Sequence, residues 1–150
     1  MNTFFEKISE DLVAALKGRD EVRVSTLRYL ISKVNNAKIE KGSDLTDVEI
    51  LNEINKEVKR HQESIDAYRA GGRQDLVDKE ESELAILRSY LPKPFSDEEL
   101  DNMVDEAIQL LDAKSEEDVG RVIKAVMSSA SVRANGAKVA EIAMEKLASK

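Results

Sequence analysis

Residues 46–70 read TDVEILNEINKEVKRHQESIDAYRA. Within this stretch Leu51, Ile54, Val58, His61, Ile65 and Tyr68 recur at strictly alternating steps of three and four, the seam of two helices packed side by side. Thr46 and Glu49 open it as a capping box, in which a hydroxyl and a carboxylate satisfy backbone N–H groups that the first turn leaves without partners. The run is too short to demand a free coiled coil, and a partner follows at once in the chain. Across Gly71-Gly72, the stretch Gln74–Tyr90 carries Leu76, Val77, Leu84 and Leu87, and with Leu91 these can close an antiparallel helical hairpin.

The same signals extend in both directions. Thr3-Phe4-Phe5-Glu6 and Ser96-Asp97-Glu98-Glu99 are further capping boxes, and Ser115-Glu116-Glu117-Asp118 reads as a fourth. Val24, Leu27, Ile31 and Val34 keep helical spacing, as do Leu100, Met103, Val104, Ala107, Ile108 and Leu111, and nothing alternates as a strand would. Gly18, Gly42, Gly71-Gly72 and Gly136 fall at breaks in this periodicity, where a helix stop is cheapest. The segment Leu91-Pro92-Lys93-Pro94 is the clearest boundary, because proline cannot continue a helix and pushes the residue before it toward an extended conformation. The reading is an all-α chain in two parts. Residues 1–92 form a helical N-terminal domain of four helices containing the long hairpin, and residues 93–150 a three-helix bundle with helices near 97–111, 116–129 and 136–149.

Composition narrows the chemistry. Among 150 residues, 41% are hydrophobic and 35% charged, which supports one domain or two small ones with long solvated faces. With no cysteine and a single histidine, the chain lacks disulfides, thiolate metal sites and any zinc or iron site that needs two imidazoles, so neither metal nor cofactor is expected. The acid-containing first residues do not read as a signal or transit peptide, and no stretch approaches a membrane span, so a soluble cytoplasmic protein is expected. No Gly-x-Ser-x-Gly elbow, phosphate-cradling Gly-x-x-x-x-Gly-Lys-Ser/Thr loop or Gly-x-Gly-x-x-Gly turn occurs, so no catalytic residues are assigned. Glu80 and Glu83 read as solvated surface carboxylates. His61, on the apolar seam, reads as a half-buried histidine bonded to a neighbour, since no second catalytic partner can be picked out for a proton shuttle. Tyr68 reads as core.

Charge is sorted along the chain, whose formal net charge is −7. Residues 93–118 hold ten acids against Lys93 and Lys114, whereas residues 119–150 carry a local balance of +4, and so does the stretch from Lys17 to Lys41. Basic patches on an acidic protein suit a selective polyanion partner, with ordinary charge mixing on solvated helices as the alternative. Gly120, inside a predicted helix, costs about 1 kcal/mol relative to alanine. Something is therefore expected to come close to it, either a neighbouring helix or an RNA backbone lying against Arg121 and Lys124. Arg133 and Lys138 flank the start of the last helix, whose N–H groups near Asn135 and Gly136 could hold a phosphate. Gly120, Arg121, Lys124, Arg133, Asn135, Gly136 and Lys138 together make one candidate RNA-binding edge.

Several stretches resemble the YqeY family, whose C-terminal part is similar to the tail of the B subunit of glutamine-dependent aminoacyl-tRNA amidotransferases. They are Ser25-Thr26-Leu27-Arg28; Lys59-Arg60 with Ser64 and Tyr68; Arg73-Gln74-Asp75-Leu76 with Glu80 and Glu83; Tyr90-Leu91-Pro92; Asp118-Val119-Gly120-Arg121-Val122; and Arg133-Ala134-Asn135-Gly136. The resemblance implies a two-part helical protein that binds tRNA without being catalytic alone, associated with an amidotransferase or an aminoacyl-tRNA synthetase. The family's label as a carbon–nitrogen ligase with glutamine as amide donor describes the amidotransferase complex. The alternative is a protein-interaction module that docks a partner through its hairpin. Where the family commonly shows Gly-Lys-Ala-Asp-Gly, this chain reads Val132-Arg133-Ala134-Asn135-Gly136, and Val132 cannot easily adopt the positive φ open to glycine.

Overall fold

The computed structural model describes residues 3–149, and these form seven α-helices and two short 3₁₀ turns with no strand among them. The helices are α1 (Phe4–Lys17), α2 (Glu21–Lys41), α3 (Asp47–Ala70), α4 (Gln74–Arg88), α5 (Asp97–Leu111), α6 (Val119–Ala130) and α7 (Gly136–Ala148). Three starts are reciprocal capping boxes, Thr3 with Glu6, Thr46 with Glu49 and Ser96 with Glu99. The fourth expected box does not form. Ser115 makes no capping bond, residues Glu116–Asp118 wind as a 3₁₀ turn, and α6 begins only at Val119. The reason lies in Asp118, whose carboxylate accepts the Lys114 backbone N–H at 2.9 Å and closes the turn from its far end.

The chain divides into two compact units, Met1–Leu91 and Pro92–Lys150. In the first, α3 and α4 pack against each other as a hairpin, with α1 and α2 against the same core. Ile54, Val58, His61 and Ile65 of the seam are buried, and Leu51 and Tyr68 at its edges are half-buried. Ile54, Val58 and Ile65 join Val77, Leu84 and Leu87 of α4, Ile8 of α1 and Leu27, Leu30 and Val34 of α2 in one core, with Tyr68 packed against it. Each such aliphatic side chain contributes about 1.5–3 kcal/mol on full burial. Gly72 turns the hairpin at φ +70 and Gly42 ends α2 at φ +82, a left-handed backbone in which a side chain is strained. After α1 the left-handed residue is Arg19, at φ 56, and Gly18 keeps an ordinary φ of −82.

Tyr90 ties the first unit's ends together. Its hydroxyl donates to Asp11 Oδ2 at 2.6 Å across 79 residues of sequence, and its ring meets Phe4 edge-on at 6.0 Å. In the second unit Leu100, Val104 and Ile108 of α5, Val122 and Val126 of α6, and Val139, Ala143 and Leu147 of α7 form a separate core. The left-handed residue before the last helix is Ser131, at φ 51, so Val132 is not asked for a positive φ. The φ objection to Val132 is thereby removed, while the bulk of its side chain, which a glycine lacks, remains beside the loop.

Candidate functional site

The candidate RNA-binding residues of the second unit lie along the first half of α6 and around the start of α7. Gly120 stands exposed in its first turn, where the helix cost of glycine is small, and nothing lies within 4 Å of the point a Cβ would occupy. A neighbouring helix is therefore not what glycine accommodates here. Arg121 Nη2 donates to Asp118 Oδ1 at 2.7 Å. The Lys114 N–H and then this guanidinium hold the Asp118 carboxyl below the usual carboxylate range. Lys124, one turn further on the same exposed face, has no ion-pair partner among the described residues.

The remaining candidates gather where α6 passes into α7. Arg133 donates from Nε to the Lys93 carbonyl at 2.8 Å, its guanidinium lies 3.7 Å from the Phe95 ring centroid, and its own carbonyl accepts from Phe95 N–H at 2.8 Å. It pins the segment leading into α5. Asn135 caps α7, its Oδ1 accepting from Ala137 N–H at 2.8 Å, and Gly136 is the first residue of that helix. Lys138 Nζ lies 3.8 Å from both Asp97 and Glu141. At about 1.5 Å rise per residue, Arg121 and the connection at Ser131 are roughly 15 Å apart along α6. The seven candidates thus fall in two groups, Gly120, Arg121 and Lys124 toward the start of α6 and Arg133, Asn135, Gly136 and Lys138 at the start of α7.

A second constellation lies in the first unit, in a pocket of about 200 Å³ lined by Ser25, Thr26 and Tyr29 of α2, Glu57, Arg60 and His61 of α3, and Lys79, Glu83 and Leu87 of α4. Ser25, Thr26, Arg60 and Glu83 belong to the stretches that carry the family resemblance. Arg60 donates from Nε and Nη2 to one oxygen of the buried Glu57, at 3.1 and 2.8 Å, and this pairing raises its affinity for its proton. His61 is 5% exposed. Its Nδ1 lies 2.8 Å from the Glu57 backbone oxygen, and because a carbonyl only accepts, Nδ1 carries a proton. Its Nε2 lies 3.0 Å from Glu83 Oε2 and 3.5 Å from Glu80 Oε2, whose side chains are only 18% and 20% exposed. Glu80 and Glu83 are thus not solvated surface carboxylates, since the hairpin turns both onto the histidine. Glu57, Tyr29 and Lys79 had no marker in sequence. The pairing of His61 with Glu83 had one, because the two stand at equal distances from Gly72, on either side of the turn, and an antiparallel hairpin brings such positions level.

The sequence pattern of Yqey-like proteins matches residues 5–147, a span that takes in both cores, the His61 pocket and the candidate RNA-binding residues. The chain belongs to the Yqey-like protein family. This Yqey-like protein is 28% identical over 135 residues to altered inheritance of mitochondria protein 41 of Pyrenophora tritici-repentis, covering 89% of this chain and 74% of that one. It is 33% identical over 85 residues to the protein of the same name in Lachancea thermotolerans, covering 56% of this chain and 46% of the other. An uncharacterized protein of Schizosaccharomyces pombe is 31% identical over 86 residues, 57% of this chain and 70% of that protein. Both named relatives are called mitochondrial. No helix among the described residues of this Yqey-like protein is long and apolar enough to cross a membrane.

Proposed function

We propose that this Yqey-like protein is a non-catalytic tRNA-binding helical module that works beside a glutamine-dependent amidotransferase or an aminoacyl-tRNA synthetase, in the cytoplasm. The observation that carries the reading is the open first turn of α6. Gly120 leaves clear space for a phosphodiester backbone, with Arg121 and Lys124 exposed on the adjoining face. Arg133 and Asn135 serve this reading indirectly, by fixing the start of α7, where Lys138 offers a separate third cation to a polyanion long enough to span both places. Contacts of this kind position a nucleic acid without reading its bases, so sequence preference should be slight.

Titration of the purified chain with bulk tRNA across a salt series tests the proposal. Three neutralised phosphates predict a log–log salt slope of about −2.1 to −2.7. Arg121→Glu with Lys124→Glu should abolish binding while helicity is kept. Unaltered binding in that double variant would move the contact to the basic stretch Lys17–Lys41. A second reading, docking of a protein partner, is favoured by the exposed apolar side chains Val13, Leu16 and Val22 about the α1–α2 turn, which are 50%, 44% and 41% exposed. The α3–α4 hairpin expected to serve such a partner buries its own apolar seam, leaving Val48 as its exposed large hydrophobic. Absence of tRNA binding even at low salt would favour that reading.

A further inference from the structure

We infer that His61, Glu80 and Glu83 form a binding site for a divalent transition-metal cation such as Zn²⁺ or Mn²⁺, clamped between α3 and α4. The site differs from the candidate RNA-binding residues in place and in chemistry. With the Nδ1–H of His61 committed to the Glu57 carbonyl, the ring is oriented so that Nε2 faces two carboxylates. Nε2 and one oxygen from each carboxylate therefore converge inside the hairpin, a set of three ligand atoms placed to share a cation. A histidine whose second nitrogen donates to a backbone carbonyl is also the usual arrangement of a metal-ligating imidazole, since that bond fixes tautomer and ring orientation.

Distances and charge agree with this assignment. Two ligand atoms about 2.0–2.1 Å from one ion, subtending 90–110° at it, stand about 2.8–3.4 Å apart. The separations from Nε2 to the two carboxylates are 3.0 and 3.5 Å, and one ligand atom from each of the three residues lies within 4.8 Å of the other two. Among the described residues neither Glu80 nor Glu83 has an ion-pair partner other than His61, Arg60 is committed to Glu57, and Lys79 lines the pocket without pairing. The two carboxylates supply the anionic ligands that a divalent ion favours. One nitrogen and two oxygens suit borderline cations better than Mg²⁺ or Ca²⁺, which favour all-oxygen sets. Three protein ligands leave a coordination position for water.

The single histidine makes the test unambiguous. Tag-free full-length protein, stripped with chelator and dialysed, is titrated separately with Zn²⁺ and Mn²⁺, following stoichiometry by calorimetry and the His61 ring nitrogens by NMR in the Zn²⁺ series. The expected result is one ion per chain, a Zn²⁺-dependent shift of the Nε2 resonance with Nδ1–H retained, and a melting temperature that rises with metal concentration. Glu83→Gln and Glu80→Gln keep side-chain shape and should each weaken binding by more than the roughly 10–100-fold that loss of an outer-shell partner costs. Their circular dichroism and cooperative melting verify that they fold. Glu116→Gln with Glu117→Gln, which removes two exposed carboxylates of the other unit, should bind as the parent does. No equimolar binding at millimolar metal, an Nε2 resonance indifferent to Zn²⁺, or folded Glu80 and Glu83 variants that bind like the parent would each overturn the site. In that case the cation between the three groups is a proton only.

Discussion

Replacing Tyr90 by phenylalanine removes one oxygen and keeps the ring against Phe4, so it isolates the bond from the Tyr90 hydroxyl to Asp11. A hydrogen bond to a charged acceptor contributes about 1.5–3 kcal/mol. Asp11 is 31% exposed at its side chain and also pairs with Lys7 at 3.2 Å, so water and the ammonium recover part of what it loses. The expected cost is therefore toward the lower end, about 1–2 kcal/mol. With a urea slope of about 1.5 kcal/mol per molar, the unfolding midpoint should fall by roughly 1 M. Tyrosine fluorescence is the probe of choice. The chain has no tryptophan, and its three tyrosines, Tyr29, Tyr68 and Tyr90, all precede Leu91 and report on the first unit alone. Burial first, and then Asp11, push the Tyr90 phenol above its usual range. A raised folded-state value means that this stabilisation is complete below the unfolded tyrosine range near pH 10 and is lost as pH rises beyond it. The parent should therefore lose stability above about pH 10 more steeply than Tyr90→Phe does. In an Asp11→Ala background, which removes the acceptor, the tyrosine substitution should cost much less. An unchanged midpoint, or an equal cost in both backgrounds, would refute the reasoning.

Two further outcomes follow from local geometry. The side-chain bond from Lys41, followed by the Thr46 N–H, lowers the Glu49 carboxyl to about 2. Its contribution to stability is thus present above the ordinary glutamate range and lost as pH falls toward 2. Carboxylate NMR should place its midpoint there and return it toward 4.5 in Lys41→Met, and a midpoint that stays put would sever the link to lysine. Arg133→Ala removes the bond to Lys93 and the stacking on Phe95, and should destabilise the second unit by about 1–2 kcal/mol. The salt slope of tRNA binding should change little in that variant, and a slope reduced by about 1 would return Arg133 to the phosphate contacts.

What could be read from the chain and what could not divide along sequence separation. Capping boxes are complete within four residues, and the alternation of three and four along Leu51–Tyr68 states which face is buried without reference to anything distant, so helices and hairpin are legible. The failed box at Ser115 marks the limit of that logic. The spacing was right, but Asp118 found a better donor in the Lys114 N–H, a choice decided by backbone geometry and not by residue type. Charge showed the same limit. A local balance of +4 says how many cations a stretch holds, but Arg121 is taken up by Asp118, Arg133 by Lys93 and Phe95, and Asn135 by its own helix start. Among the described residues Lys124, one turn further along α6, is free of such ties. The His61 pocket required one step more. Read singly, a histidine on a seam and two carboxylates one turn apart each have a plain structural explanation, and those explanations hold only while the residues stay apart. Once Gly72 is taken as the axis of the turn, His61 and Glu83 become neighbours, and two unremarkable observations become one cluster of cation ligands around a buried imidazole. The step from pattern to chemistry thus rested on the register of the hairpin, which its turn residues encode and its apolar seam alone does not.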